Sequence, residues 1–372
     1  MNQFSAHDAK MMALAIRLAE KGQYTTSPNP NVGCVITRPE GDIIGQGWHK
    51  KAGTPHAEIH ALAQAGDKAQ GATAYVTLEP CNHHGRTGPC SQALLKAGIK
   101  RVIAAMVDPN PLVAGSGLKT LCDAGVDVSS GLLESAAKAL NRGFIKRMQT
   151  GQPYITVKLA SSLDGKTALN NGLSQWITGP LARQDVQRHR AKSCAILSGS
   201  GTVLADNPSL NVRHSELGYA SKDISADELR QPTRILLDGR NQLHPDLHLF
   251  SLSSPIVIIN SQPNSGVFPA HVEQYQALSN GAQLDLHNVM QHLGQLGFNH
   301  VWVEAGAKLA GALLQNKLID ELILYQAPKL LGDKGRDLFA VDELTQMQQA
   351  FALEWQDVRQ VGPDLKLTAY FK

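Results

Sequence analysis

Along the first 150 residues, short hydrophobic runs alternate with segments in which apolar residues recur at helical spacing. Ser5 to Asp8 has the pattern of a capping box, which predicts a helix from about Asp8 to Lys21. Strands are predicted at 32–36, 42–48, 74–78, 101–107 and 126–128, and further helices at 56–65, 91–97, 118–124 and 138–148. Strands that alternate with helices in this way predict an α/β sandwich with a largely parallel edge.

A polar stretch at 149–153, which contains Gly151 and Pro153, is typical of a linker. A new strand pattern starts at Tyr154, and 372 residues exceed the size of one ordinary core. We therefore predict two domains, residues 1–150 and 151–372. The last twenty residues predict two strands joined by a turn at Gly362 to Asp364.

The composition and the sequence pattern argue against several classes of protein. The net charge is only +3 and aromatic residues make up 5% of the chain, which argues against an extended nucleic-acid surface. No apolar run is long enough to cross a membrane, and the first ten residues lack the order of a signal peptide. Five cysteines are an odd count that argues against a disulfide framework. We expect a cytoplasmic protein with no nucleic-acid or membrane partner.

The chemistry of the first half centres on His56, Cys81 and Cys90, with Glu58 two residues after the histidine. One imidazole and two thiolates can hold Zn²⁺ and leave a fourth position for water, while a free glutamate carries protons. Zinc-dependent deaminases of nucleobases use this set, although their cysteines usually have C-x-x-C spacing and here residues 82–89 intervene. A structural zinc or plain core cysteines are the alternatives, but Glu58 and the lack of a fourth clear ligand favour one catalytic Zn²⁺ per chain.

Two phosphate-binding patterns in the second half are incomplete. The segment Ala160 to Thr167 ends like a P-loop but has alanine where the first glycine is required. Gly199 and Gly201 begin a dinucleotide fingerprint, yet Leu204 occupies the third glycine position. Neither a P-loop nor a Rossmann domain is therefore predicted.

Longer motifs in both halves resemble one known family. They read TSPNPNVGCVI at 26–36, PHAE at 55–58, TLEPC at 77–81, HHGRT at 83–87, KLASSLDG at 158–165, SQWIT at 174–178 and GTVLADNP at 201–208. Together they resemble the bifunctional deaminase–reductases of riboflavin biosynthesis, apart from Asn82, where that family often has serine. The resemblance implies a cytidine-deaminase-like α/β/α sandwich followed by a dihydrofolate-reductase-like α/β domain.

The resemblance also implies two reactions on a small phosphoribosylated pyrimidine. The first is zinc-dependent deamination of 2,5-diamino-6-(5-phosphoribosylamino)pyrimidin-4-one, with Glu58 as proton carrier. The second is reduction by NADPH of the ribose of 5-amino-6-(5-phosphoribosylamino)uracil to a ribityl chain. A homo-oligomer is compatible with the resemblance.

Site residues follow from the resemblance by matching position. The implied NADPH contacts are Ala160, Trp176, Thr178, Thr202, Asp206 and Gly306. The implied substrate contacts are Asn29 in the first domain and Lys158, Ser174, Arg183, Arg190, Leu210, Arg213 and Glu304 in the second. The arginines suit a sugar phosphate, although solvated surface arginines are the plain alternative. Weaker candidates are His49, His83 and Arg86, which pocket or surface positions would also explain.

Two other functions stay open at this point. A nucleic-acid base deaminase with an accessory domain would need a basic groove and stacking aromatic residues. Alternatively, the second half could only bind substrate or mediate oligomerisation. Oxidation of NADPH by the purified protein distinguishes the second alternative from a reductase.

Overall fold

The polar stretch around Gly151 separates two folded units. The computed structural model describes residues 4–83, 88–111 and 113–371. Its first unit is Met1–Gly151 and its second is Gln152–Lys372, so the division falls inside the stretch predicted as a linker. Helix α6 of the first unit runs to Thr150, directly before that division.

The first unit alternates strands and helices. Its elements are α1 (Ala6–Glu20), β1 (Gly33–Thr37), β2 (Ile43–Trp48), α2 (Ala57–Ala65), β3 (Thr73–Val76), α3 (Cys90–Lys96), β4 (Arg101–Ala104), α4 (Ser116–Asp123), β5 (Asp127–Ser130), α5 (Glu134–Leu140) and α6 (Arg142–Thr150).

These elements form three layers around a five-stranded sheet of order β2-β1-β3-β4-β5. Strand β1 pairs antiparallel with β2 and β3, whereas β3, β4 and β5 are parallel. Residues of α2, α3 and α4 share an apolar core on one face of the sheet, and residues of α1 and α5 share one on the other. The predicted α/β sandwich with a parallel edge is confirmed.

The capping box predicted at the start of α1 is present. The Ser5 hydroxyl accepts the Asp8 N–H, and the Asp8 carboxylate accepts the Ser5 N–H. Asp8 is buried and also accepts hydrogen bonds from the Tyr75 hydroxyl and the Arg101 guanidinium. One local capping residue therefore also joins α1 to β3 and β4.

The prediction of one helix over 138–148 is wrong, because the chain forms α5 and α6 with a break at Asn141. The Asn141 side chain accepts the Asn31 N–H and donates to the Asn31 carbonyl, at 2.8 and 2.9 Å. The helix is interrupted where Asn141 pairs with this loop, which lies 110 residues away in the chain. Local helical spacing cannot reveal such a contact.

The second unit is built on one large sheet with flanking helices. Its elements are β6 (Tyr154–Ser162), β7 (Lys166–Ala168), α7 (Pro180–Lys192), β8 (Ala195–Gly199), α8 (Ser200–Asp206), β9 (Thr233–Leu237), β10 (Ile256–Asn260), β11 (Val272–Gln276), β12 (Ser279–Asn280), β13 (Gln283–Leu284), α9 (Leu286–Gln295), β14 (His300–Glu304), α10 (Ala307–Gln315), β15 (Glu321–Ala327), β16 (Arg336–Asp337), β17 (Leu353–Val361) and β18 (Asp364–Phe371).

The nine-stranded sheet has the order β11-β10-β9-β8-β14-β6-β15-β18-β17. Strands β11 to β15 in that order are parallel, and the predicted C-terminal hairpin, β17 and β18, adds two antiparallel strands. Val301 and Val303 face one apolar core and Trp302 faces the other, as strand periodicity requires. Parallel strands end at one edge of the sheet, which is where ligands bind in open α/β folds.

Glycines allow the helices of the first unit to lie directly on its strands. A Cβ atom on Gly33 would lie 2.0 Å from the Ala15 carbonyl oxygen of α1. One on Gly47 would lie 2.3 Å from the Ala57 carbonyl oxygen of α2. These contacts are closer than any side chain permits, so glycine at these positions sets the distance between helix and sheet.

No helix among the described residues combines the length and apolar character that crossing a bilayer requires.

We predict that Gly47→Ala loosens α2. The added methyl group must push the start of that helix away from β2, and overpacking of this kind costs about 1–3 kcal/mol. Hydrogen–deuterium exchange of peptides covering residues 57–65 should become faster. Gly88→Ala is the matched control because a Cβ there meets open space. Equal exchange in both variants would show that the close contact does not hold α2.

Candidate active sites

His56, Cys81 and Cys90 converge in the first unit. His56 is the residue before α2, Cys81 follows β3 and Pro80, and Cys90 is the first residue of α3. The Nδ1 atom of His56 lies 3.5 Å from Cys81 Sγ and 3.4 Å from Cys90 Sγ. Their ligand atoms all lie within 4.8 Å of one another. The structure therefore brings together the three residues predicted as metal ligands.

The spacing of these atoms fits a zinc ion. With Zn–N of about 2.0–2.1 Å and Zn–S of about 2.3 Å, tetrahedral geometry places nitrogen and sulfur ligands about 3.6 Å apart. The observed nitrogen–sulfur distances of 3.4 and 3.5 Å agree with that value. Three ligands leave one position open, which is the arrangement of a catalytic rather than a structural zinc site.

The Cys81 sulfur is surrounded by hydrogen-bond donors. A hydrogen bond from the Cys90 thiol and a second from His56 lower the pKa of Cys81. The Cys90 N–H also donates to Cys81 Sγ at 3.4 Å. These contacts favour the thiolate form, in which cysteine binds zinc.

Glu58 lies beside this centre on the first turn of α2 and is only 3% exposed. Burial, and secondly the charge of Cys81, raises the pKa of Glu58 to about 7. Its Oε2 atom has no hydrogen-bond partner among the described residues. A buried carboxyl group with an unpaired oxygen and a pKa near neutrality is suited to accept and return a proton.

Asn29, predicted to contact substrate, is oriented by His49. The Nδ1 atom of His49 lies 3.2 Å from the Pro55 carbonyl, which can only accept, so Nδ1 carries the proton. The Nε2 atom therefore accepts from the Asn29 amide at 3.1 Å. His49 is thus a buried residue that fixes the Asn29 amide. His83 is exposed, and Arg86 lies outside the described residues.

Glu79 connects the cysteine loop to the segment before α4. Its buried carboxylate accepts four backbone N–H groups, those of Asp108, Gly115, Gly117 and Leu118, at 2.8 to 3.4 Å. A Cβ on Gly117 would lie 2.0 Å from the Pro80 carbonyl, so α4 also touches the backbone directly before Cys81. The sequence analysis did not identify this role, since the partners lie 29 to 39 residues further along the chain.

A cleft lies at the carboxyl edge of the parallel strands in the second unit. Every residue predicted for that unit lines it: Lys158, Ala160, Ser174, Trp176, Thr178, Arg183, Arg190, Thr202, Asp206, Leu210, Arg213, Glu304 and Gly306. The cleft also has lining residues that no motif indicated, among them Arg240 and Arg336. Single arginines in loops carry no spacing signal that a sequence could reveal.

Arg190 and Glu304 form a bidentate ion pair in the cleft, with Nε–Oε1 at 2.6 Å and Nη2–Oε2 at 2.9 Å. Burial alone would raise the pKa of Glu304, but the charge and hydrogen bonds of Arg190 and a hydrogen bond from Trp302 lower it to about 2. Burial lowers the pKa of the neighbouring Lys158, and the charge of Glu304 opposes that shift. Lys158 in the middle of β6, Glu304 at the end of β14 and Arg190 in the last turn of α7 are thereby held next to one another.

The other predicted arginines also have protein partners. The Arg183 guanidinium lies 4.6 Å from the centre of the Trp176 ring and donates to the Thr178 carbonyl. Arg213 forms a bidentate pair with Glu216 at 2.6 and 2.7 Å. Their side chains are therefore positioned in advance, and a bound phosphate would have to share or replace those contacts.

The turn between β14 and α10 brings backbone N–H groups to the same cleft. Gly306 is the residue before α10, and its N–H donates to the Thr202 hydroxyl at 3.2 Å. Beyond that hydroxyl, a Cβ on Gly306 would meet nothing within 4 Å. A helix N-terminus with this free approach suits a pyrophosphate group.

Comparison with known proteins covers both units. Residues 5–106 match the cytidine and deoxycytidylate deaminase zinc-binding region, and residues 153–367 match the RibD C-terminal domain. The riboflavin biosynthesis protein RibD of Haemophilus influenzae is 51% identical over 99% of this chain and 98% of its own length. The Escherichia coli protein of that name is 52% identical over 97% of this chain and 98% of its own.

This chain belongs to the RibD family.

Solved RibD structures agree over the whole length. The Acinetobacter baumannii RibD structure has a TM-score of 0.90 and 44% identity, and it covers 98% of this chain and 99% of that one. A Thermotoga maritima structure has a TM-score of 0.86 and 32% identity, with the same coverage. The predicted family is confirmed. His56, Cys81 and Cys90 lie within the residues matched to a zinc-binding region, so zinc is the metal that this group of ligands would hold.

We predict that Glu79→Gln weakens zinc binding. The amide keeps one acceptor oxygen but turns its NH₂ group toward backbone N–H donors, so the loop that carries Cys81 loses its anchor. Loss of such a supporting contact typically lowers metal affinity about 10–100-fold. Competition with a chelator measures the affinity. Glu40→Gln, at an exposed glutamate of the same unit, is the control. An unchanged affinity in Glu79→Gln would remove Glu79 from the support of the site.

Proposed function

We propose that this protein acts twice on one phosphoribosylated pyrimidine in riboflavin biosynthesis, as a deaminase and then as an NADPH-dependent reductase. The observation that carries the proposal is the presence of two chemically different sites in one chain. One is the His56–Cys81–Cys90 centre beside Glu58, and the other is the cleft with the Arg190–Glu304 pair. The Thermotoga maritima relative is described as a diaminohydroxyphosphoribosylaminopyrimidine deaminase/5-amino-6-(5-phosphoribosylamino)uracil reductase.

In the deaminase site, zinc supplies the Lewis acidity that makes a water molecule nucleophilic at neutral pH. Glu58 lies where its free Oε2 can accept a proton from that water. The water oxygen forms a bond to the ring carbon that carries the 2-amino group. Glu58 would pass this proton to the ring nitrogen, then take the second proton from the new hydroxyl group and give it to the amine, so that the carbon–nitrogen bond breaks and ammonia leaves. Burial raises the pKa of Glu58, which favours the uptake of a proton by this carboxylate.

Asn29 recognises the edge of the pyrimidine in this proposal. Because one amide N–H is already donated to His49, the Asn29 side chain presents its oxygen and its remaining N–H in a fixed orientation. That pair matches the alternating donors and acceptors of a heterocycle edge. Cys81 and Cys90 must stay reduced to bind zinc, which is consistent with the cytoplasmic location that we propose.

In the reductase site, bound NADPH supplies a hydride to C1′ of the ring-opened sugar. The Thr202 hydroxyl, which accepts the Gly306 N–H, can donate to the pyrophosphate beside the start of α10, and Ala160, Trp176, Thr178, Asp206 and Gly306 complete the nucleotide contacts. Lys158, Ser174, Leu210 and Glu304 lie on the sugar side, and Arg183, Arg190 and Arg213 bring positive charge for its phosphate. Hydride addition to C1′ of the ring-opened Schiff base would convert its carbon–nitrogen double bond to a single bond, and the nitrogen would take a proton from solvent, which gives the ribityl chain.

We predict that Glu58→Gln retains zinc and loses ammonia release. The amide has nearly the same size but cannot carry the proton, and loss of a general acid–base group typically costs about 10²–10⁴-fold in rate. Zinc content by metal analysis and ammonia release are the two measurements. NADPH oxidation with the deaminated intermediate is an internal control, because Glu58 lies in the other unit. Full deaminase activity in this variant would exclude Glu58 as the proton carrier.

We predict that Arg190→Ala impairs reduction and leaves deamination unchanged, the reverse of Glu58→Gln. Removal of the guanidinium leaves the Glu304 carboxylate buried without its main partner, and breaking such a pair costs about 3–5 kcal/mol. We expect kcat/KM for reduction to fall about 100-fold or more, while ammonia release stays at the wild-type level. Arg359→Ala removes an exposed arginine outside the cleft and is the control. If the wild-type protein never oxidises NADPH with the deaminated intermediate, the second unit is a binding module and the reductase proposal fails.

A further inference from the structure

Trp302 lies next to the reductase cleft without lining it. Its side chain is 0% exposed, and its Nε1–H donates to Glu304 Oε1 at 2.8 Å. We infer that Trp302 is a positioning residue for sugar reduction, because its indole N–H fixes the Glu304 carboxylate that faces the substrate. This inference rests on the proposed reductase function.

The Glu304 carboxylate is held from two directions. Arg190 donates to both oxygens, and Trp302 donates to Oε1 from the neighbouring strand position on the same face. The Ser198 hydroxyl donates to the Glu304 backbone carbonyl at 2.7 Å. An arginine fork alone can swing together with its carboxylate, since both side chains are flexible. A third donor on a rigid, buried ring removes that freedom.

The indole itself is locked in place. The His189 ring stacks on it with centroids 4.8 Å apart and planes 8° from parallel. His189 Nε2 lies 2.7 Å from Lys366 Nζ, which also donates to Asp185 at 2.7 Å. Lys366 thus connects His189 to the Asp185 carboxylate. A ring fixed on its face and at its N–H cannot tilt away from Glu304.

The hydrogen bonds to the Glu304 carboxylate determine how it can contact a substrate. A carboxylate has about four acceptor positions, and three N–H groups, one of Trp302 and two of Arg190, occupy three of them. The remaining position on Oε2 is available to one hydroxyl group of the sugar. Glu304 pairs in register with Lys158 on the adjacent strand β6, so the acceptor lies beside a cationic donor at the end of the cleft. Trp302 therefore determines how precisely that hydroxyl is held.

The test is Trp302→Phe in the full-length zinc-loaded protein. Phenylalanine keeps an aromatic ring against His189 but removes the N–H. We expect KM for 5-amino-6-(5-phosphoribosylamino)uracil to rise about tenfold, the loss expected for one hydrogen bond to a charged group. KM for NADPH and the rate of ammonia release should not change. A merely structural role of the ring would not affect the two reductase substrates differently.

Trp355→Phe is the control. It makes the same substitution at an exposed tryptophan of the same unit, outside the cleft. It should leave KM for the uracil substrate unchanged. An equal rise in both variants, or wild-type KM values in Trp302→Phe, would overturn the inference while leaving the reductase proposal intact. If the wild-type protein does not oxidise NADPH, both fail together.

A measurement on the wild-type protein covers the case in which Trp302→Phe does not fold. The chain has four tryptophans, so four indole N–H signals are expected in a nitrogen-15 spectrum. Glu304→Gln, which keeps the indole, identifies the Trp302 signal as the one that moves most. D-Ribose 5-phosphate should then shift that signal in a saturable manner, because a hydroxyl bound to Oε2 withdraws charge from the shared carboxylate. A saturating titration that leaves the Trp302 signal in place contradicts the inference.

Discussion

Burying an ionised carboxylate costs several kcal/mol unless hydrogen bonds replace its water, and both units meet this constraint at the point where a strand reaches the site. Glu79 follows β3 and accepts four backbone N–H groups. Glu304 ends β14 and accepts three side-chain N–H groups. All four donors to Glu79, and Arg190 at Glu304, come from segments distant in sequence, whereas Trp302 lies two residues before Glu304 on the same strand. The hydrogen bonds that stabilise each charge therefore also connect the loop after β3, or the end of β14, to the rest of its unit.

Glu58 is buried to the same extent as Glu79 but lacks that set of donors. Its pKa is raised to about 7, whereas the donors around Glu304 lower the pKa of that residue to about 2. The same functional group is thus suited to carry a proton in one environment and to stay ionised as an acceptor in the other. Burial and the charge of Cys81 raise the pKa of Glu58, whereas the charge and hydrogen bonds of Arg190 outweigh the burial of Glu304. This difference explains why Glu304 can orient a substrate hydroxyl but cannot donate a proton at neutral pH.

The metal ligands were predictable because they lie in two short segments whose spacing has chemical meaning, 56–58 and 81–90. The residues that line the cleft of the second unit were named only through resemblance, since no single motif contains them. The hydrogen bonds of Glu79 and the break at Asn141 were not predictable, because their partners lie 29 to 39 and 110 residues away in the chain. The contact of Trp302 with Glu304 spans only two residues, but its importance depends on Arg190, which lies 114 residues before Glu304. Local spacing predicts elements and ligand sets, but it cannot indicate which side chain meets a buried carboxylate after folding.

The topology of each unit accounts for this difference. In the first unit, α2 lies so close to β2 over Gly47 that one turn of helix carries both His56 and Glu58 into the site. A compact sequence motif is then sufficient to predict the site. In the second unit, parallel strands deliver one or two residues each to a common edge, from Lys158 on β6 to Glu304 on β14. A site assembled in this way leaves no compact signature, and its precision must come from buried neighbours such as Trp302 that fix each strand end.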